Sequence, residues 1–256
     1  MRLGVRLLTV AALVALALPW PARGQSGWAF DFGTEQSWTE NDGNDSLWTV
    51  QRFQVSRVRE GEGGLFGGVE RQERYDLVDV ALFATGYRRL GDWTVAGGLA
   101  ATPDAEFLYG FSADGEVSRR VVGTLVASAG YRYLDYPTAT VNQVLPSLTW
   151  YHARGEIAAR VYVTRNVTLE RTSTTGLVRT LYDVGRRLRL GGGVSYGDRI
   201  FDVASLPTGT ARAWVVYGHA RVGLTRRDFL DVGLGAAHEA PAFDQTTFAL
   251  GYRRVF

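Results

Sequence analysis

The sequence predicts an all-β fold, a transmembrane antiparallel up-and-down β-barrel of about 14 strands, with 12 strands as the runner-up. Three observations predict it. Apolar and polar residues alternate with period 2 in one segment after another, as successive side chains of a strand do. Many of these segments are longer than the roughly 5–6 residues of an average soluble strand. The chain also begins with an export signal and ends on an aromatic residue, Phe256.

Residues 1–24 are predicted to be a cleaved signal peptide. Arg2 and Arg6 supply the positive charge, an apolar stretch covers residues 7–18, and small residues follow at positions 22–24. This stretch is too short to span a bilayer, which needs about 20 helical residues, so an N-terminal anchor is the weaker alternative. Residues 25–256 then form the barrel.

The charge balance of the mature chain does not favour a nucleic-acid partner. Three of the 28 basic residues lie in the signal, which leaves 25 basic against 26 acidic residues, and every basic residue is an arginine. The absence of cysteine fits an exported protein that does not rely on disulfides. No linker rich in proline or serine divides the chain, which indicates one domain.

Turn-forming residues, such as the cluster at 40–45, separate the predicted strands. Loops are expected at residues 166–175, 197–209 and 238–244. The predicted strands lie at about residues 28–33, 47–57, 65–72, 77–87, 93–101, 107–120, 125–133, 141–151, 157–164, 178–184, 188–196, 214–222, 230–236 and 246–256.

The phase of the alternation assigns a face to most side chains of the first eight strands. Trp28, Phe30 and Phe32 alternate with small or polar residues in the first strand, whereas the phase of residues 65–87 is mixed. In the sixth strand, Phe107, Tyr109 and Phe111 share a face opposite Asp114 and Glu116. Pro146 lacks a ladder donor, so a bulge or irregularity is expected in the eighth strand.

The last six strands alternate more clearly. In each strand the polar residues are predicted to line the lumen. Lipid tolerates only the apolar face, so polar residues are expected to point inward, the inverse of a soluble sandwich. Ion pairs are expected along single strands, Glu156 with Arg160 and Arg179 with Asp183. The lumen-lining candidates are Glu116, Arg132, Glu156, Arg160, Arg179, Asp183, Tyr217, His219, Arg221 and Asp231.

The closing strand resembles the last strand of bacterial outer-membrane barrels. That resemblance implies an assembly signal on its apolar face, made by Phe248, Leu250, Tyr252 and Phe256, for recognition by the barrel-assembly machinery. Arg253 is expected to face the lumen. The strand is expected to pair with residues 28–32 and so close the barrel.

An even number of strands places both termini on one side, which is expected to be the periplasm. Five Arg-Arg pairs, at 88–89, 119–120, 186–187, 226–227 and 253–254, then fall on that side. We expect these arginines to meet anionic phospholipid headgroups of the inner leaflet. The expected partners are therefore outer-membrane lipids, lipopolysaccharide and the assembly machinery, and the oligomeric state is not defined by the sequence.

Several short runs resemble YaiO-type outer-membrane barrels. They are the run EFLY at 106–109, AGYRYLDY at 129–136, WYH at 150–152, AARVY at 158–162 and the aromatic C-terminus. The resemblance covers most of the mature chain. It implies an integral outer-membrane location and a barrel fold, and it implies no particular reaction, because the members have no settled biochemical role.

The sequence predicts a protein that is not an enzyme and that holds no metal or cofactor. The alternative is a barrel hydrolase or acyltransferase of lipids, in which Ser195 would be the nucleophile, His219 the base and Asp183 its orienting carboxylate. No local motif supports this triad. His152 and His238 lie in predicted turns, and no metal partners can be assigned to them.

Three functions therefore compete at this point. The first is a narrow passage for small or saccharide solutes, which a charged lumen permits. The second is a structural or assembly component of the envelope, and the third is the barrel enzyme. The sequence favours an integral outer-membrane barrel of undefined role, either a narrow passage or a component associated with envelope polysaccharide.

Overall fold

A computed structural model describes residues 27–41, 44–203, 206–239 and 243–256. The predicted signal peptide lies outside these residues. The strands are β1 (Gly27–Asn41), β2 (Asn44–Arg59), β3 (Gly63–Arg74), β4 (Leu77–Leu90), β5 (Trp93–Ala101), β6 (Phe111–Val122), β7 (Leu125–Asp135), β8 (Thr140–His152), β9 (Gly155–Asn166), β10 (Arg171–Asp183), β11 (Leu188–Val203), β12 (Leu206–Gly223), β13 (Asp228–Glu239) and β14 (Phe243–Val255).

The strands form one closed barrel in which each pairs antiparallel with its neighbours in the chain. The seam is made by β1 and β14, with Ala29 opposite Val255 and Phe32 opposite Tyr252. The backbone N–H of Phe256 donates to the carbonyl of Trp28 at 2.9 Å and extends this pairing to the last residue. The prediction of a 14-strand barrel is confirmed.

Side chains alternate between a lipid-type exterior and a polar interior. In β14, Phe248 and Leu250 are exposed, whereas Thr247 and Arg253 are buried. The same alternation runs through the other strands because successive side chains leave a strand on opposite faces. Among the described residues there is no helix long and apolar enough to cross a membrane.

Exposed aromatic side chains form a belt near each end of the barrel. We call the end at which β1 begins and β14 ends the terminal end, and the other the opposite end. The belt of the terminal end includes Trp28, Trp93, Trp150 and Phe256, and that of the opposite end includes Trp38, Phe111, Tyr196 and Trp214. Such girdles mark the two interfaces of transmembrane barrels, where amphipathic rings sit at headgroup level.

All five Arg-Arg pairs lie at the terminal end, in or beside the connections between strands. Several arginines near this end lie over aromatic rings, Arg57 over Trp28 at 5.4 Å and Arg119 over Trp93 at 5.0 Å. The pairing of basic and aromatic groups gives this end a cationic rim.

Most strands are longer than predicted, with 18 residues in β12, whereas β5 has the predicted bounds and 9 residues. Most of the expected loops 166–175 and 197–209 belong to β10, β11 and β12. Their polar residues continue the strand ladder beyond the apolar band, so hydropathy alone placed the strand ends too early.

The sixth strand begins at Phe111, and the prediction that it includes Phe107 and Tyr109 is wrong. Residues 102–110 instead form a connection, the inner segment. Its two ends are joined by a hydrogen bond from the N–H of Thr102 to the carbonyl of Gly110 at 3.0 Å. Phe107 and Leu108 are buried against Ala81 of β4.

Candidate functional site

The inner segment is held by a buried carboxylate on the neighbouring strand. Asp79 accepts backbone N–H groups of three successive residues, Glu106 at 3.0 Å, Phe107 at 2.9 Å and Leu108 at 2.7 Å. Its side chain is 2 % exposed. Hydrogen bonds to an ionised carboxylate are among the strongest that a protein makes, so Asp79 fixes the segment inside the barrel wall.

Aromatic packing adds to this attachment. Tyr109 packs edge-on against Tyr136 at 6.3 Å, which brings together two of the runs that carry the family resemblance. Burial raises the pKa of both phenols, and that of Tyr136 to about 12.

A row of polar side chains leads from the inner segment to the interior of the barrel. The Arg74 guanidinium lies 4.9 Å from the centre of the Phe107 ring and donates to Gln72 at 2.6 Å. Gln72 donates to Glu70 at 2.5 Å, and Glu70 pairs with Arg52 at 3.0 Å. The row therefore connects the opposite end of the barrel with its centre.

A cavity of about 280 Å³ lies inside the barrel, against β1–β3 and β10–β14. Among the predicted lumen candidates, five line it: Arg179, Tyr217, His219, Arg221 and Asp231. The period-2 signal that identified these residues also applies to Asp31, which lies between Phe30 and Phe32, and to Arg52 and Glu70. These three cavity-lining residues were not selected from the sequence.

The interior charges pair between strands. Arg221 makes a two-point contact with Asp231, Nε to Oδ1 at 2.7 Å and Nη2 to Oδ2 at 3.0 Å. A second pair bridges the seam itself, Arg253 of β14 with Asp31 of β1 at 3.2 Å. These pairs join neighbouring strands and so help to fix the curvature of the wall.

The predicted pairs within single strands, Glu156 with Arg160 and Arg179 with Asp183, are wrong. Residues i and i+4 of a strand lie about 13 Å apart, which is too far for an ion pair, so the charges pair with residues of other strands instead. Two of the observed pairs join neighbouring strands, Arg179 with Glu156 at 3.6 Å and Arg189 with Asp183 at 2.6 Å. The third, Arg160 of β9 with Glu116 of β6 at 2.5 Å, joins strands that are not neighbours.

The remaining lumen candidate, Arg132, lies opposite Asp114 in the register of β6 and β7. Together with the pair of Glu116 and Arg160, it belongs to the β5–β9 side of the interior, away from the cavity lining. Of the ten candidates, five line the cavity, four lie on the β5–β9 side, and Asp183 of β10 pairs with the cavity-lining Arg189.

The structure does not assemble the predicted triad. His219 lies opposite Gly191, four residues along β11 from Ser195, which corresponds to about 13 Å at the rise of a strand. Asp183 lies on β10, two strands from His219, and makes two hydrogen bonds to Arg189. A nucleophile and its base need hydrogen-bond contact, so these residues are not arranged for acyl transfer.

The two other histidines lie near the rims. His238 Nδ1 contacts Asp244 at 2.6 Å, and the His152 ring lies 5.6 Å from that of Trp150. No cluster of three or more His, Cys, Asp or Glu suited to a metal ion occurs within the described part of the chain.

A closed antiparallel barrel with an apolar exterior, two aromatic belts and a charged interior defines an integral outer-membrane β-barrel protein. The family model described as "YaiO membrane beta barrel domain" matches residues 31–198. The chain therefore belongs to the YaiO family.

Solved structures with the same architecture include a channel described as "CymD monoaromatic hydrocarbon channel". It is 10% identical, with a TM-score of 0.69 over 91% of this chain and 89% of that chain. A "Bacterial polysaccharide outer membrane secretin" is 10% identical, with a TM-score of 0.56 over 90% and 99%. OmpT of Vibrio cholerae is 12% identical, with a TM-score of 0.52 over 92% and 99%. At these identities the likeness concerns the fold. No curated protein matches the sequence.

Proposed function

We propose that this outer-membrane protein is a narrow passage for small hydrophilic solutes, kept closed by its inner segment. The observation that carries the proposal is the charged cavity of about 280 Å³ within the barrel. A cavity lined by charged side chains within a membrane barrel is the kind of space that a hydrophilic solute can enter.

The position of the inner segment supports the closed state. It occupies the opposite end of the interior, where Asp79 holds it through three backbone N–H groups. The cavity begins where the row from Arg74 to Arg52 ends, so a solute that leaves the cavity toward the opposite end meets this segment.

Recordings from purified protein in planar bilayers test the passage. The unmodified protein is expected to show rare, small conductance steps. Asp79→Ala releases the segment, so that open events become at least about tenfold more frequent. The matched control is Asp92→Ala, an exposed aspartate in the turn between β4 and β5. If neither the unmodified protein nor Asp79→Ala conducts, the passage is refuted.

A structural envelope role is the competing function. The ion pairs that pack the β5–β9 side, such as Arg160 with Glu116, favour it. Silence of the Asp79→Ala protein in bilayers, together with loss of envelope integrity when the protein is removed from cells, would select this alternative.

We also propose that the terminal end faces the periplasm. The cationic rim of that end suits anionic phospholipids of the inner leaflet, and the opposite end would then meet lipopolysaccharide. Because the chain has no cysteine, single substitutions report sidedness directly. A membrane-impermeant maleimide should label Thr138→Cys, in the β7–β8 connection, on intact cells and leave Asp92→Cys unlabelled until the cells are lysed. The reverse pattern would invert the topology.

A further inference from the structure

The cavity owes its space to a floor of small residues that crosses the seam of the barrel. Any larger side chain at these inward positions would fill the interior, as packed protein interiors normally are filled. The floor consists of Gly33 of β1, Gly233 and Gly235 of β13, and Thr247, Ala249 and Gly251 of β14.

Two parallel rings border this floor. Tyr217 and His219 stack with an angle of 5° between their planes and 6.4 Å between their centres. Their far ends lie over glycines of β11: a Cβ added to Gly191 would stand 2.2 Å from the His219 ring, and one added to Gly193 would stand 2.7 Å from the Tyr217 hydroxyl. The glycines therefore allow both rings to lie along the wall.

The opposite side of the rings is open. In the register of β12 and β13, Tyr217 stands opposite Gly235 and His219 opposite Gly233. Neither glycine carries a side chain that could cover a ring, so the faces of both rings border the cavity above the floor of small residues.

Polar groups surround this aromatic surface. The Arg221–Asp231 pair and the Arg52–Glu70 pair both line the cavity. A guanidinium has five N–H donors, and a two-point carboxylate contact uses two of them. The rim thus offers both an acceptor and donors.

From these features we infer that the cavity contains a binding site for a neutral saccharide. A sugar ring has a C–H face that packs on an aromatic face, and its hydroxyls donate and accept, which matches paired guanidinium and carboxylate groups. An anion gains little here, because each of the four lining arginines already has a carboxylate partner. A hydrocarbon would leave the polar rim unsatisfied, which is costly.

The volume limits the size of the ligand. About 280 Å³ lies at the lower end of the roughly 300–1,000 Å³ of small-molecule sites, which suits one or two sugar residues. The inference rests on the proposed passage and names its class of solute.

Saturation-transfer NMR on the purified protein in micelles tests the site without requiring conductance. The probes are D-glucose and N-acetylglucosamine, with sorbitol as an open-chain polyol, gluconate as an anion and phenol as an aromatic. Signal transfer is expected for the two ring sugars and not for the other three. Tyr217→Ala should weaken the affinity about tenfold.

A second variant covers the outcome that Tyr217→Ala fails to fold. Gly235→Val fills the floor, where an added Cβ meets its neighbours at ordinary contact distances of 3.5–3.7 Å. It should abolish sugar binding, while Gly115→Val on the lipid side of β6 should not.

Three results would overturn the site. They are signal transfer to phenol or gluconate in place of the ring sugars, equal transfer to sorbitol, and sugar binding that Gly235→Val leaves unchanged. Conductance without sugar binding refutes the site alone, and binding without conductance refutes the passage alone.

Discussion

The carboxylate of Asp79 accepts the backbone N–H of Phe107 at 2.9 Å, across 28 residues of sequence. This single side chain binds a connection that would otherwise extend from the rim. The energy of the attachment is concentrated in one charged acceptor with three donors, so it is sensitive to one substitution.

Asp79→Asn should therefore free the inner segment while leaving all 14 strands paired in the barrel. The amide brings an N–H group against backbone donors and removes the charge, at a cost of about 2 kcal/mol or more. We expect faster cleavage within residues 102–110 by an added protease, measured by mass spectrometry of the fragments. Asp92→Asn is the control. Equal cleavage rates in the two variants would show that Asp79 does not hold the segment.

The interior ion pairs should differ in strength according to their exposure. Asp231→Asn breaks the two-point contact with Arg221, whose side chain is 18% exposed, and should lower the unfolding free energy by about 1–3 kcal/mol. Asp198 pairs with Arg212 at 3.8 Å, and the two side chains are 58% and 76% exposed. Asp198→Asn should therefore change the unfolding free energy by less than about 0.5 kcal/mol. Urea unfolding in lipid vesicles gives both values. Equal losses would contradict the assignment of Arg221 and Asp231 to the enclosed interior.

Glycine at position 191 should be essential to the placement of His219. An alanine Cβ there would stand within about 2.4 Å of two ring atoms, so the ring must move at a cost of about 1–3 kcal/mol. Gly176→Ala, on the lipid side of β10, meets only one atom at 3.9 Å and should be nearly neutral. The His219 ring resonances in NMR spectra should shift in Gly191→Ala only. Unchanged stability and unchanged resonances would refute the packing.

The last residue should matter for assembly as well as for pairing. Phe256 is 65% exposed at the terminal end, and its N–H extends the seam by bonding to Trp28. We propose that its ring, with Phe248, Leu250 and Tyr252, is read by the assembly machinery. Deletion of Phe256 should reduce the amount of heat-modifiable protein in outer membranes several-fold. Phe111→Ala, which removes another exposed aromatic, should not, and equal loss in both would contradict a specific signal.

The alternation of side chains was sufficient to predict the number of strands, the seam and the faces of β14, because lipid and lumen impose opposite requirements on alternate residues. Sequence could not reveal the inner segment. Phe107 and Leu108 are as apolar as lipid-facing residues, and contacts with distant parts of the chain, Asp79 and Ala81 of β4, place them inside. The partners of the interior ion pairs could not be predicted either, because they depend on the register between strands, which the sequence pattern does not define. The cavity depends on glycines, whose absent side chains leave no hydropathic signal.

The floor of small residues has a consequence for the order of events in the membrane. It draws on β13, β14 and β1, and therefore spans the junction between the first strand of the chain and the last. A barrel whose ends have not yet met has the rings of Tyr217 and His219 with the glycines of β13 beside them, but it lacks the part of the cavity lining that β1, β2 and β3 supply. The ligand pocket is thus completed only when the barrel closes. A barrel that has not closed is not expected to bind the solute.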